Sequence, residues 1–147
     1  MGWATWANRW RYFDLNMNSM DSTDFIDELI TYKPSNKYWK DIFKKMKENK
    51  IDSWGYIWTF YLWKNKKISI IPNVNLVSNI GFGTDGTHTL DPTSKFSNMP
   101  KAEMVLTTHP NKIEIDLEAD EYTSKKQFSY KPFLVRAFNK LKRILTI

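Results

Sequence analysis

The run DSWGYIWTFYLWKNK, from Asp52 to Lys66, limits what this chain can fold into more than any other stretch. It reads as a helix capped by Asp52 or Ser53, with Trp54, Ile57, Trp58, Tyr61 and Leu62 along one side. Such a face has to be covered, because burying one large apolar side chain is worth roughly 1.5–3 kcal/mol. Gly55 sits in the first turn, where helix propensity supplies no local reason for glycine. Seven tryptophans and an aromatic content of 16% extend the constraint to the whole chain. That much ring area fits either a thick core or a pocket that stacks flat ligands or sugar rings.

The remaining pattern predicts mostly helix. Trp3, Trp6 and Trp10 fall on one face of a short helix over residues 3 to 10, and Tyr12 and Phe13 extend its apolar surface. MDSTDFIDELITYK predicts a second helix, with Ser22, Thr23 and Asp24 as caps ahead of Phe25, Ile26, Leu29 and Ile30, and with Pro34 ending it. SNKYWKDIFKKMKENK predicts a third, with an apolar stripe of Tyr38, Trp39, Ile42, Phe43 and Met46 opposite a solvated lysine face. ISIIPNVNLV is the best strand segment, interrupted by Pro72. Ile113, Ile115 and Leu117 alternate ahead of a further helix, whose first turn carries the acids of Glu118 to Glu121. KPFLVRAFNKLKRILTI is amphipathic, with Phe133, Leu134, Ala137, Phe138, Leu141, Ile144 and Leu145 opposite Arg136, Lys140, Lys142 and Arg143. Both a terminal helix docked on the core and an interfacial helix on an anionic membrane fit that segment. The expected fold class is α+β, predominantly helical with a few short strands, as residues 1–129 followed by a basic amphipathic helix over 130–147.

A chain of 147 residues can bury a core but is short for an enzyme that holds two substrates. Its net charge of +6 points to an anionic partner. The lysines scatter over several helices without the order of a nucleic-acid module, so nucleic acid is not the expected partner. The absence of cysteine excludes disulfides and thiolate metal sites. No apolar run approaches the roughly 20 residues of a membrane span, and the N-terminus lacks the pattern of a signal peptide. A cytoplasmic protein, peripheral at the inner membrane face, is the expectation.

No P-loop, dinucleotide fingerprint, HExxH or GxSxG motif is present. NVNLVSNIGFGTDGTHTLD, Asn73 to Asp91, holds three glycines after a β-branched segment, and a turn with positive φ at Gly81, Gly83 or Gly86 explains it locally. Within it, His88 lies three residues after Asp85 and between two threonines, a setting for a divalent metal or a phosphate as well as for a hydrogen-bonded loop histidine. His109 has no such neighbours. For general-base chemistry the carboxylates to consider are Asp14, Asp52 and Asp85.

Three segments, in this order, resemble one family. GWATWANRWRYFDL resembles a Gly-Trp-Ala-Thr-Trp…Trp…Asp motif in the second half of bacterial family-2 glycosyltransferases of the hemolysin-activation-like, nucleotide-diphospho-sugar transferase type. KIDSWGYIWTFYLWKNKKISIIPNVNLVSNIGFGTDGTHT resembles that family's next block, and LEADEY a following acidic stretch, so that the likeness runs from Gly2 to about Tyr122. It implies a GT-A fold of which this chain holds the acceptor-side half, residues 1–129. A nucleotide-binding half, with its Asp-x-Asp signature, is not among these residues.

The resemblance further implies a sugar moved from a nucleotide sugar to a cell-surface glycan or lipid-linked acceptor. It implies an acceptor-facing set of Trp3, Trp6, Trp10, Trp54, Trp58 and Asn79, with Asp85 and His88 toward a diphosphate and its Mg or Mn ion. The family pattern Trp-Asp-Tyr-x-Trp places a carboxylate where this chain has Gly55, leaving Asp52 and Asp85 as the catalytic candidates. Asp52 lies three residues earlier, about 300° around a helix. The family's arginines after the first motif are replaced by Ala7 and Asn8. These departures leave a second expectation open, a non-catalytic remnant or interaction module that pairs with a partner or a membrane surface.

Overall fold

The structure, a computed structural model, describes residues 3–79, 81–82, 91, 93–94 and 96–131. The chain divides into two compact units. The described residues of Met1–Tyr12 and Ser69–Ile113 form one, and Phe13–Ile68 with the described residues of Glu114–Ile147 form the other. Five helices occur among the described residues: α1 (Ala7–Trp10), α2 (Phe25–Leu29), α3 (Lys33–Lys47), α4 (Trp54–Lys64) and α5 (Leu117–Gln127). The expected helical predominance holds. The expected strands do not form, and the one β-pairing among the described residues is an isolated parallel bridge between Asn79 and Ser97.

The second unit is organised by α3. Its residues Trp39, Ile42, Phe43 and Met46 recur at three- and four-residue spacing, so they share one face, and all four are buried. Met17, Ile26, Ile57 and Phe60 complete the core, with Tyr38, Tyr56, Trp63 and Phe128 packed against it. Pro34 does not end α2, which stops at Leu29; it occupies the first turn of α3, where a missing N–H costs nothing and a fixed φ suits the helix. Lys44, Lys45 and Lys47 in the last turn complement the helix dipole.

The core side of α4 differs from the expected one. Ile57 and Phe60 are buried and Trp63 packs beside them, whereas Trp54 is 47% exposed. Apolar residues surround this helix on every side, so its periodicity left the buried side to be chosen by the partner helix. The N-cap residues Asp24 of α2 and Ser53 of α4 make no side-chain capping bond, while Ser22 Oγ, ahead of α2, accepts from the Asp24 N–H at 2.9 Å. At α5 the cap is made: Asp116 accepts from the Ala119 N–H at 2.9 Å, with Glu118 and Asp120 in the first turn.

Two buried polar residues tie the helices together. The Asn36 side-chain amide donates to the Ile26 carbonyl at 3.3 Å, to the Ile30 carbonyl at 3.1 Å and to Asp27 Oδ1 at 2.9 Å, so α3 satisfies carbonyls at the end of α2. Ser35 Oγ donates to the Ser124 carbonyl at 2.9 Å and thereby joins α3 to α5.

A loop from Asp14 to Asp21 closes the other end of this unit. The Asp14 carboxylate accepts from the Asn16 N–H (3.1 Å), the Ser19 N–H (3.0 Å) and Asn18 Nδ2 (3.3 Å). This arrangement forces Met17 into the left-handed region, φ 51°, and its side chain is 2% exposed in the core. The conformational cost at a non-glycine residue, of order 1–2 kcal/mol, is offset by that burial. Lys47 Nζ donates to the Met17 carbonyl at 2.7 Å, and Lys64 Nζ to the Ser19 carbonyl and, at 2.7 Å, to Asp21 Oδ1.

In the first unit the helix expected from residue 3 begins only at Ala7. Trp6 is its extended N-cap, with a carbonyl that accepts from the Arg9 N–H (2.8 Å) and the Trp10 N–H (3.1 Å). One turn of helix supplies too few hydrogen bonds to propagate backward through the segment. The segment expected as a strand is extended without a ladder. Asn75 supplies one pairing with 100–102, its carbonyl accepting from the Ala102 N–H at 2.9 Å and its Nδ2 donating to the Pro100 carbonyl at 2.8 Å. Ile70 and Ile71 remain 83% and 82% exposed, so β-branched content alone did not make a strand without a neighbouring edge to complete it.

Asn36→Ala removes the amide that serves Ile26 and Ile30, and the expected cost is about 1–3 kcal/mol of unfolding free energy, measured by urea denaturation. The Asp27 carboxyl titrates below its ordinary 3.8 because it accepts from Lys40 and then from Asn36. A depressed folded value means that this contribution is present above the unfolded value and is lost as pH falls through the folded one. Asp27→Asn is therefore expected to be less stable than the parent near neutrality and to converge on it below pH 3.8, as read from denaturation midpoints across that range.

Candidate functional site

The tryptophans expected to form one wall are distributed between the two units. In the first, the Trp3 and Trp10 rings meet at 5.7 Å with a 42° tilt, while Trp6 is 75% exposed. In the second, Trp54 and Trp58 lie one turn apart on α4. Trp58 stacks on Tyr61 at 5.1 Å and 22° and takes the edge of Phe13 at 5.7 Å, so its position is set by its own helix and the entering chain.

Asn79 is a loop-former, its Oδ1 accepting from the Gly81 N–H at 2.9 Å beside the bridge to Ser97. Asp52 is exposed ahead of the N-cap Ser53. Asp14 is occupied in building the Met17 loop. Asp85 and His88 lie outside the described residues, as does 132–147, the bulk of the expected terminal helix. Among the described residues no group of three or more histidines, aspartates or glutamates is arranged to hold a metal ion, and no helix is long and apolar enough to cross a membrane.

Gly55, where the family pattern carries a carboxylate, has room for one. A Cβ built there meets nothing nearer than Ser53 Oγ at 3.8 Å, an ordinary contact, and the backbone is helical. The Gly55 carbonyl accepts from Thr59 Oγ1 at 3.0 Å, inside the helix, so the position is not reserved for glycine by backbone conformation.

A cleft of about 660 Å³ opens in the second unit among the α2–α3 connection, α4 and α5. Its floor is aromatic. Trp39 meets Trp63 at 4.7 Å edge to face and Phe128 at 5.0 Å, both within the range in which ring quadrupoles attract. Leu117, Asp120, Glu121 and Ser124 line one wall, at the spacing that puts them on a single face of α5. Glu28 faces the cleft from α2. At its edge Lys125 Nζ pairs with Glu121 Oε1 at 2.6 Å and lies 5.5 Å from the Tyr32 ring centroid. Ser124 Oγ is buried with no hydrogen-bond partner among the described residues.

Sequence reasoning placed Trp39 in a core stripe and the acids of α5 in a helix start, and it passed over Glu28, Trp63 and Phe128. The available signal was the 117, 120, 121, 124 spacing, which gathers two acids, a serine and a leucine on one face where a purely solvated helix would carry no leucine. Tyr38, beside Trp39, has its phenol pushed well above the usual 10.0, chiefly by burial and then by the neighbouring Tyr56 hydroxyl, so it stays protonated.

The two roles considered for Asp14 make different demands. As a turn-builder it uses Oδ1 for two bonds and Oδ2 for one. Asp14→Ala is therefore expected to cost about 1–3 kcal/mol, and Asp14→Asn, which keeps an acceptor at Oδ1, less than that. Thermal unfolding followed by circular dichroism measures both.

No protein-family model matches this chain, and no match is found among curated proteins or among solved structures.

Proposed function

We propose that this chain is the acceptor-side part of a GT-A glycosyltransferase, contributing to sugar transfer from a nucleotide sugar to a cell-surface glycan or lipid-linked acceptor. The observation that carries the reading is the ordered likeness of GWATWANRWRYFDL, of the long block from Lys50 to Thr89, and of LEADEY to that family. The helix α4 begins at Trp54, the first residue of the Trp-x-Tyr-x-Trp pattern, so the position of Gly55 is the second residue of a helix. A carboxylate there would stand at the positive end of the helix dipole, held ionised and able to accept an acceptor hydroxyl's proton.

In this reading Trp54, half exposed at the start of α4, offers a ring face to an acceptor sugar, and Trp58 with Tyr61 supports it from the next turn. The resemblance gives Trp3, Trp6, Trp10 and Asn79 of the first unit an acceptor-facing role as well. Asp85 and His88 are assigned to the diphosphate side together with a divalent metal. The basic segment 130–147 holds the protein to an anionic face of the inner membrane.

Gly55 favours a second reading, an interaction module that retains the acceptor-side fold without the base, because glycine has no group to take a proton.

Gly55→Asp separates the two. The substitution fits sterically and adds an acid to a first turn that has none, so α4 is expected to gain about 0.5–1.5 kcal/mol. Combined with a separately supplied nucleotide-binding half and a UDP-sugar, it is expected to raise transfer to a glycan acceptor over the parent chain, measured by release of UDP. Transfer absent from both parent and variant would support the interaction module. Tight, metal-dependent nucleotide-sugar binding by the parent chain without that half would overturn the assignment to the acceptor side.

A further inference from the structure

We infer that the cleft of the second unit binds an organic ammonium ion, a primary or quaternary amine carried on a small ring or short chain. The chain as a whole bears a net charge of +6. Yet the described residues lining the cleft include three carboxylates, Glu28, Asp120 and Glu121, of which Glu121 is paired with Lys125 at the cleft edge. The charge of those lining residues is opposite in sign to that of the whole chain. A cleft with low-dielectric aromatic walls concentrates the field of such charges toward an entering cation.

The aromatic floor suits the same ligand. Trp63 and Phe128, each partly exposed, line the cleft together with the carboxylates, and an aromatic face attracts a cation within about 6 Å, more strongly as water is excluded. The protein already displays this chemistry at the cleft edge. Lys125 Nζ is held between the Glu121 carboxylate at 2.6 Å and the Tyr32 ring at 5.5 Å, which is a side-chain ammonium in an acid-plus-aromatic setting. Glu28 and Asp120 have no such counter-ion among the described residues, and both are solvent-exposed. One turn along α5 from Asp120, the buried Ser124 Oγ is left without a hydrogen-bond partner among the described residues.

A volume of about 660 Å³ lies within the range of small-molecule sites. A bare metal ion is poorly served, since no group of three carboxylates or histidines converges among the described residues. The inference stands apart from glycosyl transfer: the cleft lies wholly in the second unit, and binding there is measured without any donor sugar.

An amino sugar and a choline-type headgroup share the recognised chemistry, and calorimetry on the full chain at low ionic strength separates them. Titration with glucosamine and with choline is expected to give saturable binding by at least one, and titration with uncharged glucose none. Binding confined to glucosamine identifies the amino sugar, and binding confined to choline the quaternary headgroup. Because exposed ion pairs contribute only modestly, E28Q/D120N is expected to weaken the cation by roughly five- to tenfold. E103Q, an exposed acid of the first unit, leaves it unchanged. Equal affinity for glucose and glucosamine, no binding of either cation, or equal weakening by E103Q would overturn the proposal.

Discussion

Trp39 stands where the parts of the second unit meet. Its indole ring touches Tyr38 and Phe43 of its own helix, Tyr56 and Trp63 of α4 and Phe128 just beyond α5, at centroid distances between 4.7 and 5.8 Å. Each such pair adds roughly 0.5–1.5 kcal/mol beyond the area it covers. The geometry also has a directional consequence. Edge-to-face packing of Trp63 on Trp39 fixes the rotation of α4 about its axis, which an apolar helix of this kind would otherwise leave open. The same ring that closes the core becomes the floor of the cleft.

Around this aromatic centre, short polar contacts do the aligning. Asn36 binds the end of α2 to α3, Ser35 binds α3 to α5, and Tyr130 donates to Asp41 Oδ2 at 2.8 Å. Each of these groups would be costly if buried unpaired, so each specifies one arrangement of the helices over others of similar apolar area. The Asp14 loop works in the same way from the opposite end, holding Met17 in a left-handed conformation that inserts its side chain into the core. Asp14, one of the carboxylates considered for general-base chemistry, is thereby occupied in building the loop.

Much of the helical framework was legible in the sequence. The α3 stripe of Trp39, Ile42, Phe43 and Met46 needs only the 3.6-residue period to be recognised, and it is buried. The acids of 118–121 mark the first turn of α5, as the helix dipole favours. The capping of α2, the strand at 68–77 and the first aromatic helix were misread for a common reason. Caps, ladders and single turns depend on partners that lie elsewhere in the chain, and local composition carries no record of whether the partner arrives.

By itself the sequence determined that this chain is predominantly helical, that α3 has a buried face and that the chain is basic. Only the tertiary structure decided which side of α4 is buried, and that Asn36 and Ser35 serve as ties. It alone gathered Glu28, Asp120 and Glu121 around a cleft that Trp39 and Trp63 also line. Periodicity is a property of neighbours along the chain, and a helix carries it in its own residues. A cleft belongs to surfaces from residues 28 to 128, and its charge and shape exist only once those elements have packed.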